Sequence, residues 1–197
     1  MILEKVKASH AKGVIITNGY STVGTMLQRK LKERNIELIS IVSNKEHKDA
    51  LKDLGHPFVL NAYDHRFERT LERLSNLIPA TIAFDNMSGP ITNKILRAMP
   101  DRSKIYLYGM LSLQNFRFDA TELVFRQKQL QGLNFSRWFN EKSATEKFTI
   151  GRRAVQDARE NGINIVDSLP LEKFAQARDL CLSNMLNVGK VLLKPNN

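Results

Sequence analysis

Two hydrophobic patterns take turns along this chain: short unbroken apolar runs, and longer stretches in which apolar residues recur three and four apart. Residues 13–17, Gly-Val-Ile-Ile-Thr, form the first run. The segment after it sets Val23, Met26, Leu27 and Leu31 on one helical face and Gln28, Arg29, Lys32 and Glu33 on the other. Residues 36–42 are nearly all apolar, as a strand buried on both faces must be. A helix is predicted over 45–54, stopped by Gly55, then a strand over 58–61 and a helix carrying Phe67, Leu71, Leu74 and Leu77. A fourth strand spans 80–84, and Pro90 opens a helix with Ile91, Ile95, Leu96 and Met99 inward. The fifth strand covers 104–108 and a helix 118–126, and a sixth strand opens at Leu130 and closes at Phe135. Ser143-Ala-Thr-Glu146 reads as a capping box starting a helix that runs to about Asn161. The tail reads as a strand over 163–166, a helix over 170–185 and a last strand over 190–194.

Strands that alternate with helices specify an α/β fold with a parallel sheet covered on both faces. Six such strands fit a doubly wound sheet of order 3-2-1-4-5-6, whose ligand crevice lies beyond the carboxyl ends of strands one and four. Three small-residue turns, 19–24, 85–89 and 109–112, fall at strand carboxyl ends. The first reads Gly19-x-Ser21-x-x-Gly24, a dinucleotide-binding fingerprint with serine in the middle position. Gly19 is expected to permit the tight turn. Ser21 is small enough for a pyrophosphate to approach the backbone, and Gly24 lets the helix pack on the sheet. The helix start, with Thr22 and Val23, then points N–H groups and partial positive charge at the ligand. The bland alternative is an ordinary strand, turn and helix.

Composition narrows the class. The 197 residues, 42% apolar and 25% charged, suit one soluble domain with a single core. No apolar run approaches the roughly 18 residues of a membrane span, and the N-terminus has no signal-peptide pattern, so a cytoplasmic protein is expected. The lone Cys181 excludes an intrachain disulfide. Its place in a helical pattern with Phe174, Ala177 and Leu180 predicts a buried thiol. His10, His47, His56 and His65 lack metal-ligand spacing and are expected at the surface, so no metal is predicted. The net charge of +10 raises nucleic-acid binding. The basic residues are interleaved with acids, however, as in Lys45-Glu46-His47-Lys48-Asp49, which describes solvated helix faces. A non-catalytic basic module engaging RNA or an acidic protein is the competing reading.

The segments Ser21-Thr-Val-Gly24, Ala83-Phe-Asp-Asn-Met-Ser-Gly89, Tyr106-Leu-Tyr-Gly-Met-Leu-Ser112, Ser136-Arg-Trp-Phe139 and Gly189-Lys-Val-Leu-Leu-Lys-Pro195 resemble, in order and spacing, the medium-chain dehydrogenase/reductase superfamily of zinc-type alcohol dehydrogenases and zinc-free quinone oxidoreductases. The resemblance implies a Rossmann domain for a nicotinamide dinucleotide, with the first turn on the pyrophosphate. Asn86 and Met87, and Gly109, Met110 and Leu111, would lie along the nicotinamide half. It further implies a division into a cofactor domain over 1–167, opened by a helix, and a segment over 168–197 that returns toward a GroES-like catalytic domain not found in these residues. The substrate cleft and any catalytic zinc would belong mainly to that domain, so this chain alone should bind cofactor and turn over little. The activity implied is hydride transfer to a quinone or enone, and the sixth strand, from Leu130 to Phe135, would pair edge to edge in a homodimer.

The end of the second strand bears on the cofactor. NAD-preferring enzymes place Asp or Glu there for the ribose hydroxyls. Here stand Ser43, Asn44 and Lys45, with Lys48 one turn later. With no carboxylate to repel a 2′-phosphate and lysines to pair with it, NADP is favoured over NAD. Against this, Ser43 to Glu46 also fits a capping box, with solvated lysines. Asp85 reads as an acceptor for backbone donors in its turn rather than a general base. Tyr106 and Tyr108 alternate on one strand and read as packing.

Overall fold

A computed structural model describes residues 1–161, 165–183 and 190–195. The elements run α1 (Ile2–Ser9), β1 (Gly13–Thr17), α2 (Thr22–Lys32), β2 (Glu37–Val42), α3 (Lys45–Asp53), β3 (Phe58–Asn61), α4 (Phe67–Leu77), β4 (Ala80–Asp85), α5 (Pro90–Ala98), β5 (Lys104–Leu107), α6 (Ala120–Val124), β6 (Gln129–Gly132), α7 (Phe135–Asn140), α8 (Ala144–Asn161), β7 (Ile165–Pro170), α9 (Phe174–Ser183) and β8 (Lys190–Lys194). Six strands form one sheet of order β3-β2-β1-β4-β5-β6, every pair parallel. This is the predicted doubly wound order. β7 and β8 pair in a separate parallel ribbon, and the expected division at residues 167/168 falls inside β7.

The period-two alternation of each strand sorts the core into two layers. From β1, Val14 and Ile16 join Val6 of α1, Leu27 and Leu31 of α2 and Tyr106 of β5 on one face, while Ile15 joins Phe67, Leu71, Leu74, Ile95 and Leu96 of α4 and α5 on the other. Tyr106 and Tyr108 share the first face, as their alternation requires. Gly13 sits where an added Cβ would lie 2.5 Å from the Ile78 carbonyl oxygen, so the loop before β4 crosses directly over the start of β1.

Several expectations need correction. Leu77, the last residue of α4, is 71% exposed, while Leu74 and Ser75 of the same turn are buried, so the covered face of the helix excludes it. On α2, Val23 faces solvent and Gln28 is buried, since the helix is rotated toward its Gly24 side where it meets the turn below. The sixth strand ends at Gly132, and Phe135 opens α7 behind the side-chain cap of Asn134. The helix expected over 118–126 is only Ala120–Val124, capped by Asp119. A 3₁₀ turn, Leu171–Lys173, follows Pro170 before α9 begins. Cys181 is exposed instead of buried; of its expected neighbours Ala177 is buried and Phe174 is not. The capping box before α8 forms as predicted, with Glu146 accepting from the Ser143 N–H at 2.9 Å. Residues 163, 164, 184 and 185, predicted as parts of tail elements, lie outside the described residues.

Candidate functional site

All three small-residue turns meet at the carboxyl edge of the sheet. In the first, Gly24 lies against Gly19: a Cβ on Gly24 would be 2.2 Å from the Gly19 carbonyl oxygen, so only glycine allows α2 to rest on the turn. Gly19 is needed for a related reason. Its N–H donates to the Ile41 carbonyl at 2.9 Å, and a Cβ there would meet Ser40 Cβ at 2.6 Å. The left-handed residue of the turn is Asn18, with φ 52°, so Gly19 serves close approach to β2 and Asn18 takes the unusual dihedral. Ser21 Oγ accepts the Gly24 N–H at 3.2 Å and caps α2. Thr22 and Val23, the first residues of the helix, have N–H groups with no intrahelical acceptor.

The second turn is organised by Asp85, which is fully buried. Its carboxylate accepts from Thr17 Oγ1 at 2.8 Å, Thr92 Oγ1 at 2.6 Å and the Met87 and Ser88 N–H groups at 2.9 and 3.1 Å. All of its partners are structural, in agreement with the turn reading. The third turn runs alongside the second. Tyr108 and Leu111 donate their N–H groups to the carbonyls of Asp85 and Asn86, and Ser112 donates its own to Met87. Gly109 lies so close to Asn86 that a Cβ would be 2.8 Å from the Asn86 carbonyl oxygen. Met110 and Leu111 are exposed. Tyr108 carries a buried hydroxyl without a partner, and burial, with the charge of Asp85, pushes its ionisation well above the ordinary phenol range.

Beyond the strand ends lies a cleft of about 290 Å³, mainly apolar, whose walls include Thr17, Ser43, Tyr63, Met87, Lys94 and Gln114. The structure thus places Ser43 and Met87 together in this cleft, whereas Gly109, Met110 and Leu111 stand beyond Asn86. The capping reading of Ser43 is displaced by one residue: Asn44 caps α3, its Oδ1 accepting the His47 N–H at 2.8 Å, which leaves Ser43 facing the cleft. Lys45 is exposed at the start of α3. Lys48 meets Asp64 at 3.7 Å, and the Arg66 N–H and the Lys48 charge hold the Asp64 carboxyl below its usual range.

Of the other residues lining the cleft, Ser112 closes the third predicted turn, whereas Tyr63, Lys94 and Gln114 were not singled out in the sequence. Lys94 had one usable signal, its place in the first turns of the helix opened by Pro90; it pairs with Glu68 at 3.5 Å. Tyr63, 82% exposed at the cleft's lip, had none. His47 departs from its expected surface position. It is buried, with its ring tilted against that of Tyr20 at 4.6 Å between centroids. Among the described residues no group of three or more His, Cys, Asp or Glu could hold a metal ion, and no helix is long and apolar enough to cross a membrane.

No family model matches the chain. Curated relatives do: mitochondrial enoyl-[acyl-carrier-protein] reductase of Dictyostelium discoideum is 23% identical over 149 residues, 74% of this chain and 43% of that protein. Prostaglandin reductase 1 of Oryctolagus cuniculus is 21% identical over 165 residues, 79% of this chain and 44% of that protein. Among solved structures, a provisionally assigned NADPH:quinone reductase of Mesorhizobium loti superposes with a TM-score of 0.85 at 23% identity, covering 98% of this chain and 56% of its own. The chain therefore spans about half the length of the proteins it matches. In strand order and in its three turns the chain resembles the medium-chain dehydrogenase/reductase superfamily, to which these relatives and neighbours belong. The part of those proteins that it matches has the Rossmann-like α/β fold.

Proposed function

We propose that this chain is the nicotinamide-dinucleotide-binding half of an oxidoreductase that reduces an electron-poor alkene or carbonyl without zinc, with NADPH as the preferred cofactor. The observation that carries the reading is the Gly19–Gly24 contact, which presses the start of α2 onto the end of β1, where the Thr22 and Val23 N–H groups lack intrahelical acceptors and would be free for an anion. The turn residues Gly19, Ser21, Thr22, Val23 and Gly24 would hold the pyrophosphate, and the adenosine end would enter the cleft at Ser43. Lys45 and Lys48 supply positive charge there and no carboxylate stands at Ser43, which favours a 2′-phosphate. Asn86, Met87, Gly109, Met110 and Leu111 would lie along the other half. When bound, such a cofactor supplies hydride, and the chain contributes orientation and electrostatics.

The names of similar proteins support an alkene acceptor: enoyl-[acyl-carrier-protein] reductase, 2-haloacrylate reductase and a complex of ETR1p with NADP and crotonyl-CoA. Enoyl, haloacrylate and crotonyl groups are all conjugated alkenes. Among the described residues β6 pairs only with β5, and its other edge suits pairing with a second copy through Gln129–Gly132. Sedimentation returning only monomer would remove that part of the reading.

Thermal unfolding of the purified chain with NADPH and with NADH tests the cofactor, because a ligand that binds only the folded state raises the midpoint. The expected result is a concentration-dependent rise with NADPH that exceeds the rise with NADH. A larger rise with NADH overturns the preference, and a folded chain unaffected by either overturns the nucleotide reading.

A further inference from the structure

The fingerprint asks nothing of position 20, yet the residue there is a tyrosine that packs on the cluster of Val42, Leu51 and Val59 of β2, α3 and β3. Its ring lies 4.6 Å from that of His47, at 32° between planes. His47 is itself fixed. It is 4% exposed, and its N–H is held by the Asn44 cap in the first turn of α3. The same turn of α3 carries Lys45 and, one residue past His47, Lys48. Side-chain contacts of Tyr20 with His47 and with the cluster that holds Leu51 thus join the turn that would hold the pyrophosphate to the helix that would read the 2′-phosphate. The backbone makes a second tie, from Gly19 to Ile41, but it reaches β2 and stops short of α3.

We infer that Tyr20 and His47 form a strut that sets the distance between the pyrophosphate turn and the first turn of α3, making His47 a positioning residue for cofactor binding. This rests on the nucleotide reading above. A ligand that spans both places needs them in register, whereas a ligand touching only one does not. Register lost on one side weakens only the spanning ligand, because Asn44 and the buried Leu51 keep α3 folded without Tyr20.

The test uses the full chain with Tyr20→Ala, His47→Ala, the double variant and His47→Phe, and two probes: NADPH, which spans both places, and adenosine 2′-monophosphate, which has no 5′-phosphate to touch the turn. Unfolding midpoints without ligand confirm that each variant is folded at the assay temperature. Each alanine variant is expected to bind NADPH about five- to tenfold more weakly, the worth of one buried aromatic contact. The double variant should be no worse than either single one, and the phenylalanine variant should recover most of the loss. Binding of adenosine 2′-monophosphate should change less than about twofold in all four, as a contact not made by that probe requires. Equal losses for both probes would mean that α3 has simply collapsed, and additive losses in the double variant would mean that the rings act separately; either overturns the strut. A wild-type chain that binds neither probe overturns the nucleotide reading beneath it, so the two failures are distinct.

Discussion

β1 is buried at all five of its positions, while β6, two strands beyond its neighbour β4, is exposed at three of four. The contrast extends to the helices. α2, α4 and α5 each bury a stripe against the sheet, whereas α6 and α7 have no buried residue, and Phe125, Phe135 and Phe148 stand in solvent. The strands nearest the first turn are therefore packed by the chain's own helices from both sides, and the geometry of that turn is settled locally. Around β6 the backbone is ordered by ladder bonds and caps with little apolar cover. Substitutions of equal chemistry should then have unequal consequences in the two regions.

The largest difference is expected between two glycines. Gly24→Ala forces a methyl group into the Gly19 carbonyl, so α2 must lift from the turn; a loss of about 3 kcal/mol and at least a hundredfold in NADPH affinity is expected by denaturant unfolding and calorimetric titration. Gly132→Ala in β6 meets nothing within 4 Å and should stay within about 0.5 kcal/mol, with binding unchanged. Similar losses in the two variants would break the comparison. Asp85→Ala follows in size. It leaves two hydroxyls and two N–H groups without their acceptor, for a loss of about 3 kcal/mol, and Asp85→Asn should lose less because one oxygen remains.

Tyr108→Phe sharpens the picture by acting in the opposite direction. Its hydroxyl is buried and unpaired, so removal should stabilise the fold by about 1 kcal/mol. Because the folded state holds the phenol neutral above its ordinary value of 10.0, wild-type stability should fall as pH rises beyond that value, where the unfolded chain ionises first. The phenylalanine variant should show a shallower alkaline loss in unfolding measured from pH 8 to 11. The smallest effects belong to the far side: Phe125→Ser and Phe148→Ser should each shift stability by less than about 0.5 kcal/mol in the same unfolding assay.

This difference in burial also explains what could be read from the residues alone. Strands β1 to β4 are continuous apolar runs because both faces are covered, and their positions and order followed from that pattern to within a residue or two. β6, Gln-Leu-Gln-Gly, has no such signature, and its predicted end at Phe135 mistook the aromatic start of α7 for more strand. For the site, glycine spacing found the Gly19–Gly24 contact, because close backbone approach leaves only one residue type possible. The identity of the α3 cap, the burial of His47 and the cleft wall at Tyr63 and Lys94 depend on which way side chains turn after the backbone is set. Periodicity carries no record of that. Cys181 failed for a similar reason: the helical spacing was right, but of the face it defined Ala177 is covered while Phe174 and Cys181 are not.

Serine at position 21 has a consequence beyond being small. Because its hydroxyl already engages the Gly24 N–H, the first turn of α2 is wound in the free chain, and an arriving anion does not have to order it. A glycine in the same place would offer one more donor but would lose backbone freedom at each binding event. Serine at this position therefore gives up one possible hydrogen bond in exchange for a smaller entropic cost of association. That trade should appear in Ser21→Gly as a more favourable binding enthalpy offset by a less favourable entropy.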